Sequence, residues 1–322
     1  MSDVPPQRVI IPGDVTASLS ADLREPGGVD GLLPDDDPGA YGGTGAKLLR
    51  NHLPAAVLER LTAWRRDPEP WLTVGNLPRP RDFVPTPRDG FADENALTVP
   101  NLVHLGLLRL LGVTPVAYRW ENEGRLMRNV APRPGSAGAL TSWGSTAPLD
   151  WHTDDSVLDH HDGAGPADAI PHYLSFYGMR NEERVPTDLL DVDTVLAGLP
   201  RWTHDDLRRP EFAVSAPESY APADGDRPAR EAVPLLWTLP DGHDAVRYGP
   251  GRITGRTTRA VRALTRFEQR LGELEGESVL VGAGDFHIFD NRRVLHRRVP
   301  FQPAAQETAR WLRRCYARAR QD

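Results

Sequence analysis

The sequence predicts a mainly β fold with flanking α helices, and three observations carry that prediction. The 31 prolines and 29 glycines cut the 322-residue chain into short segments, which favours strands and loops over a helical bundle. Runs rich in β-branched and aromatic residues cluster after residue 115. Only a few stretches carry helical spacing. With 39% apolar residues the chain can bury a substantial core, and length alone does not choose between one large domain and two small ones. We read residues 1–322 as a single domain.

Taken in order, residues 1–45 are polar and glycine-rich and read as a loosely packed arm. Pro54 to Trp64 is a helix with Val57, Leu58, Leu61 and Trp64 on one face and proline in its first turn. Residues 79–95 and 215–230 are polar, proline-rich loops of the kind that cover sites, and plain solvated insertions share that composition. Asn101 to Leu111 is a buried helix. Strands follow at Val116–Trp120, Leu126–Val130 and Tyr173–Tyr177. Thr257 to Leu274 places Val261, Leu264, Phe267 or Glu268, Leu271 and Leu274 at helical spacing behind capping threonines. Ser278–Val281, Phe286–Phe289 and Arg310–Tyr316 complete the strands. In the last, alternation puts Arg310, Leu312, Arg314 and Tyr316 on one face. Two arginines there are costly to bury unless an anion lies against them.

Composition narrows the function. A net charge of −7 argues against a nucleic-acid surface. No run of eighteen apolar residues predicts a membrane span, and Met1–Arg8 lacks the apolar stretch of a secretion signal. Cys315 is the single cysteine, so no intrachain disulfide forms and a reducing, cytoplasmic setting fits.

The chemistry-bearing residues are His152 and Asp154, in Leu149-Asp-Trp-His-Thr-Asp-Asp155, and His296, followed by Arg310 and Arg314. That order suits a two-histidine, one-carboxylate metal site beside an anionic cosubstrate, and imidazole with carboxylate suits iron(II). His-x-Asp alone is a weak signal, since it also occurs at His160-His-Asp162 and His204-Asp-Asp206. Those two lie in acidic, loop-like stretches. His152 follows a strand-like run whose alternation sends it and Asp154 to one face.

The segments Thr141–Asp155, Met179–Thr187 and Gly284–Phe301 resemble, in order, three blocks of the clavaminate synthase-like iron(II)/2-oxoglutarate oxygenases, which include arginine and asparagine β-hydroxylases of peptide-antibiotic pathways. Arg310 falls at the spacing of that family's cosubstrate arginine, and weaker similarity appears at Gly75–Pro78, Val84–Pro87 and Tyr118–Gly124. The resemblance runs from about residue 70 to the end. It implies a double-stranded β-helix (jelly roll) core and iron held by His152, Asp154 and His296. It also implies 2-oxoglutarate held by Arg310, Thr187 and Arg314, a guanidinium fork being suited to a carboxylate. His287 matches no family role and reads as a core residue.

The implied reaction couples oxygen and decarboxylation of 2-oxoglutarate to succinate with hydroxylation of an unactivated C–H bond. Its substrate is a free amino acid or derivative in specialised metabolism, such as antibiotic biosynthesis. Asp155, Glu121, Glu123, Ser142 and Arg314 are the substrate-contact candidates. A carboxylate at 154 argues against halogenation; desaturation or cyclisation stays open, as does a jelly-roll binding protein without oxygenase activity. The chain departs from the resemblance twice. Aspartate stands at 154 where the amino acid hydroxylases usually carry glutamate. In Asp244–Arg252, where arginine-specific members hold a guanidinium with acids, Asp244 is the single carboxylate beside Arg247 and Arg252. The expected substrate is therefore not free arginine but a neutral or anionic amino acid.

Overall fold

The computed structural model describes residues 7–24, 27–139, 141, 143–160, 169–217 and 229–320. Two sheets organise it. The larger runs, in spatial order, Arg8–Ile10, Trp71–Gly75, Phe286–Asp290, Tyr173–Arg180, Trp311–Ala319 and Val113–Val116, with Met127–Val130 also paired to Trp311–Ala319. Its pairings are antiparallel except for the parallel Arg8–Ile10. The smaller runs Glu277–Val279, Thr187–Asp191, Val294–Arg298 and Leu149–His152, all antiparallel.

Period-two alternation explains why the larger sheet is buried on both sides. Leu174, Phe176, Phe289, Leu312 and Tyr316 point into a core shared with Trp151, Leu189 and Val294 of the smaller sheet region. Their neighbours Tyr173, Tyr177, Phe286, Ile288, Trp311 and Cys315 point the other way, into a second core with the helices Gly13–Asp22, Pro38–His52, Ala55–Arg66 and Thr98–Leu110. Two histidines are buried within these layers: His104 Nε2 lies 2.8 Å from Ser175 Oγ and His287 Nδ1 lies 2.8 Å from Thr73 Oγ1. Burial, reinforced by nearby cations, pushes both down to about 3.

The structure departs from several expectations. Within 1–45, the described residues 7–24 and 27–45 are not loosely packed: Ile11, Leu19 and Tyr41 are buried, and Pro38–His52 crosses Thr98–Leu110 closely. A Cβ on Gly45 would meet the Leu102 carbonyl oxygen at 2.0 Å, so the glycines that read as looseness permit the contact. The strand expected at Val116–Trp120 is Val113–Val116, at the sheet edge where Pro115 is tolerated. Tyr118 and Trp120 instead stack on each other beyond it, at 5.3 Å between centroids. In the helix Thr258–Gly272 the buried stripe is Ala260, Ala263, Leu264, Phe267 and Leu271, and Val261 is exposed. Thr257 caps this helix by accepting from Ala260 N at 3.2 Å. His204 is helical, in Arg201–Leu207, where its Nε2 lies 3.0 Å from the Leu196 carbonyl.

Candidate metal centre

At the edge strand Leu149–His152 of the smaller sheet the backbone register places His296 directly opposite His152, and their rings lie 4.1 Å apart between centroids. His152 Nδ1 lies 2.8 Å from the Asp150 carbonyl, which fixes the proton there and leaves Nε2 as the electron-pair donor. The strand ends at His152, so sheet alternation does not place Asp154. Side-chain pins do so instead. Asn291 Oδ1 accepts from Asp154 N at 2.8 Å and Asn291 Nδ2 donates to the Asp154 carbonyl at 3.0 Å. Thr153 is tied to Tyr248 through Thr153 N to the Tyr248 carbonyl at 2.8 Å and Tyr248 N to Thr153 Oγ1 at 3.0 Å.

Asp154 Oδ1 thereby lies 3.3 Å from His152 Nε2 and 3.6 Å from His296 Nε2. Ligand atoms of the three residues lie within 4.8 Å of one another. Right-angled bonds of about 2.1 Å to one ion would set their neighbours about 3.0 Å apart, so the donor set fits a single octahedral cation with small adjustment. The charge state fits as well. Burial works against the Asp154 carboxylate, but Arg314 first, with the two imidazoles beside it, holds it well below the usual carboxylate range. Burial and His152 push His296 down to about 4, against the pull of Asp154, leaving a neutral imidazole.

The larger sheet supplies the rest. Arg314 Nη1 and the Tyr316 hydroxyl each donate to Asp154 Oδ2 at 2.9 Å. Arg314 Nη2 also pairs with Glu121, to which Arg128 donates at 2.8 Å. Arg310 sits just before the strand Trp311–Ala319, 3% exposed. Its backbone N–H donates to Glu183 at 2.9 Å, but its guanidinium makes no hydrogen bond to a described residue. Burial, with Arg298 close by, pulls Arg310 down to about 9. Arg298 is also buried, and its hydrogen bonds among the described residues go to the carbonyls of Ser145 at 3.4 Å and Ala147 at 3.2 Å. A cavity of about 220 Å³ joins the histidine pair and Asp154 to Arg298, Arg310 and Thr187.

Of the remaining candidates, Glu121, Asp155 and Arg314 line this cavity, with Asp155 at a left-handed φ of 53°. Glu123 does not: it is exposed beside Arg125, at 3.7 Å. Ser142 lies outside the described residues, as does Asp162, while the His160 ring packs at a tilt against Trp237, 4.9 Å between centroids. Asp244 is engaged by Arg208 at 2.6 Å and does not line the cavity, whereas Arg252 does. No residue of 79–95 lines it either; that loop is tied down through Thr86 to the backbone of Glu307 and Ala309. Within 215–230, Pro217 lines the cavity and residues 218–228 lie outside the described set. Sequence reading missed Asn291, Arg298 and Tyr316 as site residues. Tyr316 carried a legible signal, since it shares the face of Arg310 and Arg314.

Two sheets bring together two imidazoles, a carboxylate and a guanidinium with no hydrogen-bonding partner among the described residues, a type of centre that could hold a metal ion beside an anion. Residues 101–316 match the sequence profile of the taurine catabolism dioxygenase TauD, TfdA family, and the chain belongs to that family. It is 26% identical over 304 residues to an enduracididine β-hydroxylase of Streptomyces hygroscopicus, covering 84% of this chain and 83% of that one. It is also 26% identical over 277 residues to an L-lysine 3-hydroxylase of Catenulispora acidiphila, covering 84% and 74%. Its fold matches a crystal structure of asparagine oxygenase in complex with Fe(II), 2S,3S-3-hydroxyasparagine and succinate, at a TM-score of 0.78 and 22% identity, covering 96% and 93%.

Proposed function

We propose that this protein is an iron(II)/2-oxoglutarate-dependent oxygenase that hydroxylates a free amino acid or close derivative. The two sheets then correspond to the two halves of a double-stranded β-helix. The observation that carries the reading is one cavity that joins a two-nitrogen, one-oxygen donor set to a buried arginine with no anionic partner among the described residues. His152, Asp154 and His296 hold the iron. When bound, the iron and 2-oxoglutarate supply the oxidising chemistry.

The chain's own residues bind and orient. Arg310 takes the distal carboxylate of 2-oxoglutarate, which relieves the cost of burying its charge. Thr187 lines the same cavity as a second donor, and Arg298 adds positive potential near Arg310. Glu121, Asp155 and Arg314 offer charges of both signs to an α-amino acid zwitterion. Asp244 is already neutralised by Arg208, and Arg252 faces the cavity, which supports a neutral or anionic substrate side chain over a guanidinium. The relatives named for enduracididine, L-lysine and L-asparagine support a free amino acid as substrate, and of these three asparagine is the one with an uncharged side chain.

The test is incubation of the purified chain with Fe(II), 2-oxoglutarate and oxygen across a panel of amino acids, following succinate and the gain of one oxygen atom in product. Oxygen-dependent succinate release stimulated by a neutral or acidic amino acid is expected. No 2-oxoglutarate consumption with any substrate refutes the oxygenase reading, and strong turnover of L-arginine refutes the substrate class.

A further inference from the structure

The two oxygens of Asp154 have unequal surroundings. Oδ1 faces both imidazole Nε2 atoms, at 3.3 and 3.6 Å. Oδ2 faces away from them and accepts two hydrogen bonds at 2.9 Å, from Tyr316 and from Arg314. We propose that Tyr316, acting with Arg314, is a positioning residue that holds Asp154 as a one-oxygen ligand. The inference rests on the iron reading above.

Two donors on one carboxylate oxygen occupy the lone pairs a cation would need, so Oδ1 alone remains available. Two imidazoles and one oxygen would leave room on a bound ion for a chelating 2-oxo acid. A second Asp154 oxygen on the ion would compete for that space. Backbone movement cannot restore the choice, because Asn291 and Tyr248 pin residues 153 and 154.

Tyr316 carries more of this role than Arg314. Arg314 is shared between Asp154 and Glu121, while the Tyr316 hydroxyl is committed to Asp154 alone among the described residues. The phenol is held in place by Tyr118, edge-on at 5.6 Å, and by the Arg314 guanidinium 4.1 Å over its ring. The hydroxyl also fits a side chain as short as aspartate. One more methylene at 154 would drive the carboxylate into an oxygen already 2.9 Å away.

The experiment uses the full chain loaded with Mn(II), comparing wild type, Tyr316→Phe, Asp154→Glu and the double variant. Mn(II) affinity without cosubstrate and 2-oxoglutarate affinity of the loaded protein are measured separately. Tyr316→Phe is expected to weaken 2-oxoglutarate about tenfold while leaving Mn(II) affinity equal or tighter. Asp154→Glu is expected to weaken both, and adding Tyr316→Phe to it is expected to restore 2-oxoglutarate binding to within about threefold of wild type. Unchanged 2-oxoglutarate affinity in Tyr316→Phe, equal losses of both affinities, or additive effects in the double variant would overturn the role. A wild-type loaded protein that binds no 2-oxoglutarate removes the iron reading itself, a result distinct from these.

Discussion

Replacing Arg310 by methionine should make the ligand-free protein more stable while abolishing cosubstrate binding. The guanidinium is buried, meets no anion in hydrogen-bonding range among the described residues, and is pulled from an ordinary 12.5 down to about 9 by burial and then Arg298, with Glu183 acting the other way. At 1.36 kcal/mol per unit that is a ceiling of about 5 kcal/mol. The sign follows from linkage. The unfolded chain binds the proton more tightly, so the penalty is fully present below pH 9 and fades only as pH rises towards 12.5. Allowing for relaxation around the charge and for the stem that methionine retains, the net gain at pH 7 should be about 2 kcal/mol, or about 3 °C in Tm for a chain of this size. Urea and thermal unfolding of both proteins without metal measure it. With Mn(II) present throughout, adding 2-oxoglutarate at a hundredfold excess over Kd should then stabilise the wild type by about 2.7 kcal/mol and the variant not at all, reversing their order. A ligand-free Arg310→Met less stable than wild type, or equal stabilisation of both by 2-oxoglutarate, would refute the reasoning.

Two further outcomes follow from the same buried polar groups. Asn291→Leu keeps the volume but strips Asp154 N of its acceptor and the Asp154 and Pro171 carbonyls of a donor. It should cost about 2–4 kcal/mol by urea denaturation and weaken Mn(II) binding at least about tenfold by titration. His104 and His287 stay neutral in the fold at about 3 against 6.5 unfolded, so the unfolded chain takes up more protons as pH falls below 6.5. Stability should therefore be flat in these groups above pH 6.5 and fall by up to about 2 kcal/mol per histidine by pH 5, a slope that His104→Gln should reduce in pH-dependent urea titrations.

How much of this was legible in the sequence depended on whether neighbours along the chain or across the fold decide each residue's surroundings. The helices Ala55–Arg66 and Thr98–Leu110 and the strand Trp311–Ala319 were readable because their periodicity is set by the face they bury. The N-terminal helices were not. Gly42 and Gly45 weaken local helix propensity, and only the closeness of Leu102 and Leu105 explains them. His152 and His296 could be singled out from their flanking strands, but the placement of Asp154 depends on Asn291, which lies far along the chain. Glu123 illustrates the converse: two residues from Glu121, it sits at a positive φ of 57° and turns outward.

Asp154 joins the edge of one sheet to the middle of the other, and that has a consequence for biosynthesis. A nascent chain that has emerged through Tyr173–Arg180 owns one imidazole and the carboxylate, but none of their partners between Val294 and Tyr316. The second imidazole, both arginines and the phenol arrive together, and the strand bearing Arg314 must insert between Tyr173–Arg180 and Val113–Val116 before they face the cavity. On the proposed iron reading, the complete donor set would exist only after that strand is in place, so an unfinished chain would not hold a redox-active ion with nothing to restrain it.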